Sequence, residues 1–239
     1  MSLPLRALLL SAGFGTRLRP ITSSIPKCLV QVGGQPILGI WINKLEELGC
    51  EKILINTHYL NKVVEQYVHN YPRKNTDILT VYEEKLLGTA GTLLFNKNFF
   101  KNSRILMIHA DNVTDADLSL ILAAHKKRPK ECLITMLTFN TMDPQSCGIV
   151  HTDKNGVVKN FYEKKQGNYG FKANGALYIF DYELIDYLEE KNMEFYDFSK
   201  DVIPTILGKI YTWHTDANYF DIGTQKSLEK ANKIWKVKL

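Results

Sequence analysis

Long apolar segments are missing from this chain of 239 residues. No stretch approaches the run of about 20 apolar residues that spans a membrane, and Leu8-Leu9-Leu10 is far shorter than the apolar core of a signal peptide. Linkers, low-complexity tracts and internal repeats are missing too, including hexapeptide repeats of the β-helix kind. We therefore predict a soluble, cytoplasmic protein without a membrane partner, built as one continuous domain over residues 1–239.

Cysteine is scarce, and basic residues are spread along the whole chain, with dense runs only at Lys126-Lys127-Arg128 and from Lys233 to Lys238, as is usual for a helix end or a solvated tail. Cys28, Cys50, Cys132 and Cys147 show neither a Cys-x-x-Cys spacing nor a nearby histidine pair, so they are expected to be reduced thiols and not zinc ligands. The net charge is +5, and 30 Lys and Arg residues are spread among 25 acidic ones. This distribution does not indicate a nucleic-acid partner, whereas a phosphate pocket would need only a few of these cations.

Short apolar runs alternate with amphipathic stretches in the first half of the chain, which is the pattern of a parallel sheet covered by helices. The predicted strands there are Ala7 to Leu10, Lys52 to Asn56, Ile78 to Tyr82, Ile105 to Ile108 and Leu133 to Leu137. The predicted helices are Ile37 to Leu48, Lys62 to His69, Ala90 to Phe95 and Leu118 to Lys127. The fold class is therefore α/β, with three layers: a mixed, mostly parallel sheet with helices on both faces.

The alternation of predicted strands and helices changes after Phe139. Turns such as Lys154-Asn155-Gly156 separate short strands, which indicates a small antiparallel excursion. The predicted strands are Gly148 to His151, Val157 to Tyr162 and Ala176 to Phe180, and the predicted helices are Tyr182 to Glu189, Asp201 to Leu207 and Gln225 to Trp235.

A glycine-bearing loop, Gly13-Phe14-Gly15-Thr16-Arg17, directly follows the first predicted strand. Ligands of open α/β sheets bind beyond the carboxyl ends of strands, so this is where a ligand loop is expected. Small residues let backbone N–H groups approach phosphate oxygens, and Arg17 adds a bidentate cation. Leu18 stands where a dinucleotide fingerprint needs glycine, and the Gly-Lys-Ser/Thr of a P-loop is missing. Taken alone, the loop is equally typical of an ordinary tight turn.

The longer string Gly13-x-Gly15-Thr16-Arg17-Leu18-x-Pro20, followed by Pro26-Lys27, resembles the signature of the sugar-1-phosphate nucleotidylyltransferase family. These enzymes join a sugar 1-phosphate to a nucleoside monophosphate taken from an NTP and release pyrophosphate. The resemblance implies a Rossmann-like fold, with a nucleotide-binding half over about residues 1–140 and a sugar-phosphate-binding half over about residues 141–239. It also implies contacts to the NTP phosphates from Ala12, Gly13, Gly15, Thr16, Arg17 and Lys27.

Three later segments extend the resemblance toward the nucleobase and the metal. Leu87-Gly88-Thr89-Ala90-Gly91, preceded by Glu83, is similar to a nucleobase-binding segment, although Thr89 would also be typical of a helix N-cap. His109-Ala110-Asp111-Asn112 resembles a Gly-Asp segment, and Tyr219 to Thr224 resembles an aromatic-x-Asp-x-Gly-Thr segment. The resemblance implies that Asp111 and Asp221 share Mg²⁺, which typically uses one or two carboxylates beside substrate phosphates. Asp221 could equally begin the last helix.

The second half carries matches to segments around the sugar. Cys147-Gly148-Ile149-Val150 resembles Gly-x-Val, Phe161-Tyr162-Glu163-Lys164 resembles x-Glu-Lys-Pro, and Asn174 to Tyr178 resembles Asn-Ala-Gly-Ile-Tyr. The resemblance implies that Asn112, Gly148, Glu163 and Asn174 contact the sugar and that Lys164 contacts its phosphate. Because Lys165 replaces the usual proline, both lysines stay candidates for the phosphate contact.

The segment from Glu83 to Gly91 looks most like that of mannose-1-phosphate guanylyltransferases, which favours GTP and a mannose- or heptose-type 1-phosphate. Uridylyl, thymidylyl or cytidylyl transfer to another phosphorylated substrate stays open, as does a non-catalytic nucleotide-sensing homologue. The expected partners are therefore two small molecules, an NTP and a sugar 1-phosphate, with Mg²⁺ as cofactor. Family members often associate with copies of themselves, so a homo-oligomer is compatible with the resemblance.

Overall fold

The computed structural model describes residues 3–72, 75–191 and 193–235. The described chain forms two compact units. The first unit contains residues 5–86, 108–115 and 218–235, and the second contains residues 3–4, 87–107 and 116–217. No helix within the described ranges is both long enough and apolar enough to cross a membrane.

The first unit is built on parallel strands, numbered here along the chain. β1 (Leu5–Leu10) pairs with β4 (Lys52–Thr57), and β4 pairs with β5 (Asp77–Tyr82). The unit also contains two separate antiparallel pairs: β2 (Gln31–Val32) with β3 (Gln35–Pro36), and β7 (Asn112–Thr114) with β13 (Tyr219–Asp221). The helices of this unit are α1 (Ile37–Glu47), α2 (Asn61–Asn70) and α7 (Gln225–Ile234).

Burial in the core of the first unit explains the apolar runs in the sequences of β1 and β4. Consecutive residues of β1 and β4 are buried, so both faces of these strands are covered, as is usual for parallel strands. The largest fully buried side chain is that of Trp41 on α1. Its indole Nε1–H donates a hydrogen bond of 2.7 Å to the carbonyl oxygen of Asn112 on β7. This bond connects the core directly to the segment that carries Asp111.

Antiparallel pairs predominate in the second unit. β11 (Lys172–Asp181) pairs with β8 (Ile134–Asn140) and with β9 (Gly148–Thr152), and β9 pairs with β10 (Val158–Glu163). β12 (Ile210–His214) adds a parallel pair to β8. β6 (Arg104–His109) begins in this unit, and its last two residues belong to the first. The helices are α3 (Gly88–Phe95), α4 (Leu118–Lys126) and α5 (Glu183–Glu190), followed by a π turn (Phe198–Val202) and the single turn α6 (Ile203–Thr205).

The predicted α/β class is confirmed, since parallel and antiparallel strands occur together with helices. The predicted strands and helices correspond to observed elements whose ends differ by a few residues, with one exception. The helix predicted from Asp201 to Leu207 is confirmed only in part: Asp201 and Val202 end the π turn, Ile203–Thr205 form one α-helical turn, and the last two residues are not helical. Pro204 lies in the first turn of α6, where proline is tolerated, and Gly208 follows with a left-handed backbone.

A half-buried ion cluster ties three elements of the second unit together. The Asp181 carboxylate, at the end of β11, accepts hydrogen bonds from Arg104 Nε at 2.8 Å and from Arg128 Nη2 at 3.2 Å. His125, which is fully buried, lies 3.8 Å from the same carboxylate. Burial alone would raise the pKa of Asp181, but its contacts with His125 and Arg104 outweigh burial and hold that pKa well below its usual range.

We expect Asp181→Asn to lower the free energy of unfolding by about 2 kcal/mol near neutral pH. The folded pKa of Asp181 lies below the unfolded value of about 3.9, so its stabilisation is complete above about pH 4 and is lost as the pH falls through the folded pKa. Urea denaturation from pH 7 to pH 2.5 should therefore show a difference between wild type and variant that is constant above about pH 4 and shrinks steadily below it. Asp216→Asn, at a side chain that is 92% exposed, is the control and should change little. A wild-type-to-variant difference that is constant across this range would contradict the prediction.

Candidate active site

The glycine-bearing loop after β1 is anchored at both of its ends. At its start, the backbone N–H of Ser11 donates to Oδ1 of Asn56 at 2.7 Å, and the Ser11 hydroxyl donates to the Asn56 carbonyl at 2.5 Å. At its end, the Gly15 carbonyl accepts from the N–H of Leu18 at 2.9 Å and from the Thr22 hydroxyl at 2.7 Å. Leu18 is fully buried, whereas Arg17 is exposed. The fold thus holds the loop backbone while leaving the guanidinium accessible.

Lys27 and Asp111 form an ion pair within the first unit. Lys27 lies in a short 3-10 turn and is buried, and its Nζ donates to Oδ2 of Asp111. Burial alone would raise the pKa of Asp111, but the ammonium of Lys27, nearby His109 and the hydrogen bond from Lys27 together hold that pKa below its usual range. Asp111 is therefore a carboxylate at neutral pH, although its side chain is only one-third exposed.

The pairing of β7 with β13 brings Asp221, at the end of β13, next to Asp111, the turn residue directly before β7. Asp221 lies opposite Asn112 in this ladder, and the backbone N–H of Ile222 donates to the Asp111 carbonyl at 3.0 Å. Asp221 ends β13 and does not begin the last helix, whose N-cap is Thr224. The two residues are 110 positions apart along the chain, and only this antiparallel pair brings them together.

Glu83 lies beneath the loop and is buried. Its Oε1 accepts a hydrogen bond of 2.9 Å from Nδ2 of Asn56, the residue that also holds Ser11. The Glu83 carbonyl lies 2.8 Å from Nδ1 of His58, whose ring meets that of Phe14 edge-on at 5.2 Å. Glu83 therefore connects the ends of β4 and β5 to the loop.

In the second unit, Gly88 and Thr89 form the first turn of α3 and are held by the segment around Tyr196. The Tyr196 carbonyl accepts a hydrogen bond of 2.9 Å from the N–H of Ala90. The Thr89 hydroxyl accepts one of 2.7 Å from the N–H of Phe198. Thr89 is thus not the N-cap, because Leu87 occupies that position.

Gly148, Glu163 and Lys164 also meet within the second unit. Gly148 and Glu163 face each other across the β9–β10 pair, and Lys164 Nζ lies 3.7 Å from a Glu163 carboxylate oxygen. Burial raises the pKa of Glu163, and the adjacent Lys164 opposes that shift only in part. Lys165 points elsewhere, with its Nζ 5.9 Å from the ring centroid of Tyr162. Of the two lysines, Lys164 is therefore the one beside Glu163.

Asn174 has both ends of its amide engaged. Its Nδ2 donates to the Tyr178 hydroxyl at 2.6 Å, and its Oδ1 accepts from the N–H of Ala176 at 2.9 Å. Ala176 has a left-handed backbone, with φ of 48°. In this arrangement the Asn174 amide stabilises an irregular segment of β11, which includes a register shift between Asn174 and Tyr178.

A family model described as nucleotidyl transferase matches residues 6–236. The chain belongs to this nucleotidyl transferase family. It is 31% identical over 226 residues to the mannose-1-phosphate guanylyltransferase catalytic subunit beta of Drosophila melanogaster, covering 92% of this chain and 60% of that protein. It is 28% identical over 235 residues to the UTP--glucose-1-phosphate uridylyltransferase of Synechocystis, with coverage of 92% and 60%. The chain thus spans about 60% of the length of these curated relatives.

Solved structures show the same fold as this nucleotidyl transferase family member. HddC from Yersinia pseudotuberculosis, solved in complex with GMP-PN, superimposes with a TM-score of 0.78. Its sequence is 23% identical, and the match covers 95% of this chain and 98% of that one. The predicted Rossmann-like α/β architecture therefore agrees with known structures of similar topology.

The residues predicted from motifs thus form two groups in this family member, one in each unit. The first unit holds the loop, Glu83, Asn112 and the four charged side chains Arg17, Lys27, Asp111 and Asp221. The second unit holds Gly88, Thr89, Gly148, Glu163, Lys164 and Asn174. Motif comparison missed the supports, namely Asn56 under the loop, Trp41 behind Asn112 and Tyr196 against Gly88. No sequence spacing marks them, because each acts through a contact distant along the chain.

Substitution of Gly88 would test how tightly the first turn of α3 packs against Tyr196. Its φ is +76°, and a Cβ there would collide with the Tyr196 carbonyl oxygen and lie 2.8 Å from ring carbons of Tyr196. Gly208 has a similar φ of +83°, but a Cβ there would meet nothing within 4 Å. We expect Gly88→Ala to lower the free energy of unfolding by roughly 2 kcal/mol more than Gly208→Ala in urea denaturation, because only Gly88 adds overpacking to backbone strain. If both variants lost the same free energy of unfolding, the segment around Tyr196 would have to move aside without an energetic penalty, and the prediction would be contradicted.

Proposed function

We propose that this chain transfers a nucleotidyl group from an NTP to a sugar 1-phosphate and releases pyrophosphate. The observation that supports this most is the arrangement of four charged side chains in the first unit. Lys27 pairs with Asp111, and Arg17 and Asp221 both lie against Gly223. Two cations and two carboxylates beside a glycine-bearing loop suit a triphosphate and its metal ion.

The proposed reaction is a direct displacement at the α-phosphorus of the NTP. A phosphate oxygen of the sugar 1-phosphate forms the new P–O bond, and the bond from the α-phosphorus to the bridging oxygen breaks, so that pyrophosphate leaves with that electron pair. A phosphomonoester has a second pKa of about 6 and is largely dianionic at pH 7, so no general base is required. The barrier comes mainly from repulsion between two polyanions, which positioning and charge neutralisation relieve.

The chain's own residues would supply that neutralisation. Arg17 can form two parallel hydrogen bonds to phosphate oxygens, and Lys27 adds a compact positive charge held in place by burial. Because Lys27 already contacts Asp111, phosphate binding would bring the nucleotide next to that carboxylate. Backbone N–H groups of the Gly13 to Thr16 loop would add uncharged donors.

The donor set fits Mg²⁺. Within the described ranges no group of three or more His, Cys, Asp or Glu side chains is placed to hold a metal. Asp111, directly before β7, and Asp221, at the end of the paired strand β13, offer two hard carboxylates, and Mg²⁺ typically takes one or two from a protein while phosphates and water complete its shell. When bound there, Mg²⁺ would neutralise phosphate charge and help align the reacting groups.

The second unit would bind the sugar phosphate. Glu163 is mostly buried and accepts hydrogen bonds well when ionised, which suits sugar hydroxyls, and Lys164 beside it offers a cation for the phosphate. GTP and a mannose- or heptose-type 1-phosphate are the proposed substrates. This choice is supported by the Glu83 to Gly91 segment and by the similarity to a mannose-1-phosphate guanylyltransferase.

The decisive experiment measures pyrophosphate release from each of GTP, UTP, dTTP and CTP against a panel of sugar 1-phosphates, with Mg²⁺. We expect one pair to be strongly preferred, with GTP as its nucleotide. Nucleotide binding without pyrophosphate release from any pair would refute catalysis and favour a nucleotide-sensing protein. Preference for another nucleotide would refute the proposed base and leave the reaction class standing.

A further inference from the structure

Gly223 has no side chain at the point where the Arg17 guanidinium passes over it. A Cβ atom at Gly223 would lie 3.0 Å from Nη2 and 3.2 Å from Cζ of Arg17, and 3.1 Å from Oδ1 of Asp221. Such distances are tighter than ordinary Cβ contacts, so a methyl group would displace its neighbours by a few tenths of an ångström. Gly223 does not have a positive φ, so backbone conformation does not require glycine here. The requirement is for space.

The segments on both sides of this contact are held in place. Gly223 lies between β13 and α7, and Thr224 caps α7 through reciprocal hydrogen bonds with Ser227. Nε2 of Gln225 donates to the Arg19 carbonyl at 3.3 Å, which connects the start of α7 to the chain beside Arg17. The backbones on both sides are therefore restrained, and the guanidinium is the part that is free to move.

We propose that Gly223 is a positioning residue that sets where the Arg17 guanidinium lies. This inference rests on the proposed function, in which Arg17 binds the NTP phosphates. An exposed arginine has many rotamers, and contact with a flat, side-chain-free surface beside Asp221 restricts them. Displacing a substrate-positioning group by about 1 Å can cost about 100-fold in rate, so small shifts of this guanidinium would be measurable.

The test combines Gly223→Ala and Gly223→Val with Arg17→Ala in a double-mutant cycle. Pyrophosphate release gives kcat and KM, and calorimetry in EDTA gives NTP affinity without metal. We expect Gly223→Ala to lower kcat/KM and metal-free NTP affinity by roughly 10-fold, and Gly223→Val by more. In the Arg17→Ala background, the same substitutions should change both quantities less than about twofold, as expected for residues that act through one contact. The thermal midpoint of Gly223→Ala should stay close to wild type, because the end of a flexible side chain can move aside.

Gly49→Ala is the matched control in the same unit. Gly49 has a left-handed backbone with φ of +77°, and a Cβ there would meet nothing within 4 Å, so alanine strains the fold without touching Arg17. It should leave kcat/KM and NTP affinity unchanged.

Two results would overturn the proposal. One is an equal loss in the wild-type and Arg17→Ala backgrounds. The other is a loss that occurs only with Mg²⁺, which would assign the effect to Asp221. If wild-type protein released no pyrophosphate from any substrate pair, the proposed function would fail, but metal-free NTP affinity of wild type and of the single and double variants would still decide the role of Gly223.

Discussion

Asp111→Ala should lower kcat at least about 1000-fold if Asp111 has its proposed role, because a carboxylate that holds a metal beside the phosphates would account for several kcal/mol of transition-state stabilisation. The protein should still fold, since Asp111 lies in the turn before the three-residue strand β7 and its side chain is one-third exposed. The alanine variant leaves buried Lys27 without its partner, which should cost about 1–3 kcal/mol of stability. Asp111→Asn keeps an acceptor for Lys27, so it should lose activity with a smaller loss of stability.

The measurement is pyrophosphate release over a range of Mg²⁺ concentrations, with circular dichroism and urea denaturation to report folding. Asp115→Asn is the matched control: Asp115 follows β7, is exposed and accepts a hydrogen bond of 2.8 Å from Asn218. Its activity should stay near wild type. Near-wild-type rates for Asp111→Ala in excess Mg²⁺ would refute the role assigned to Asp111.

Trp41→Ala should destabilise the first unit by about 3–5 kcal/mol, the usual cost of removing a large buried aromatic side chain. This is a large part of the roughly 5–15 kcal/mol that typically separates folded from unfolded protein. Two losses add together here, because the cavity left by the indole accompanies the loss of the 2.7 Å hydrogen bond to the Asn112 carbonyl. Urea denaturation monitored by circular dichroism would give the change directly.

Trp41→Phe separates the two contributions. Phenylalanine keeps most of the apolar contact but cannot donate to the Asn112 carbonyl, so we expect a loss of about 1–3 kcal/mol. Because Asn112 adjoins Asp111, this variant should also lower kcat while folded. A loss below about 1 kcal/mol for Trp41→Ala would show that the core closes around the missing ring.

Element types were predictable wherever periodicity extended over enough residues. β1, β4 and β5 are six residues long and rich in apolar and β-branched side chains, and α1 has apolar residues at helical spacing, so pattern alone identified them. β7 and β13 have three residues each, too few for a period to appear, and they were missed. The stretch around Pro204 has apolar residues at helical spacing, but its backbone combines the end of a π turn with a single α-helical turn, a detail that spacing alone does not show.

The candidate site shows the same division. The loop from Gly13 to Arg17, Lys27, Asp111, Asp221, Glu163 and Lys164 were all selected from local strings, and family membership is confirmed. Their assignment to binding and catalysis stays a prediction. The sequence could not distinguish Lys164 from Lys165, because the two lysines are adjacent. The directions of their side chains distinguish them, since Lys164 lies beside Glu163 and Lys165 lies over the ring of Tyr162.

The sequence by itself determined the α/β class, the family and the residue types available for chemistry, because these depend on short-range periodicity and on strings of neighbouring residues. Only the tertiary structure decided which of those residues meet. Asp111, directly before β7, lies next to the end of β13 at Asp221 because the two strands pair, and Gly223 becomes a surface for Arg17 because the chain returns there some 200 residues later. Contacts of this kind follow from long-range packing, which leaves no period in the sequence.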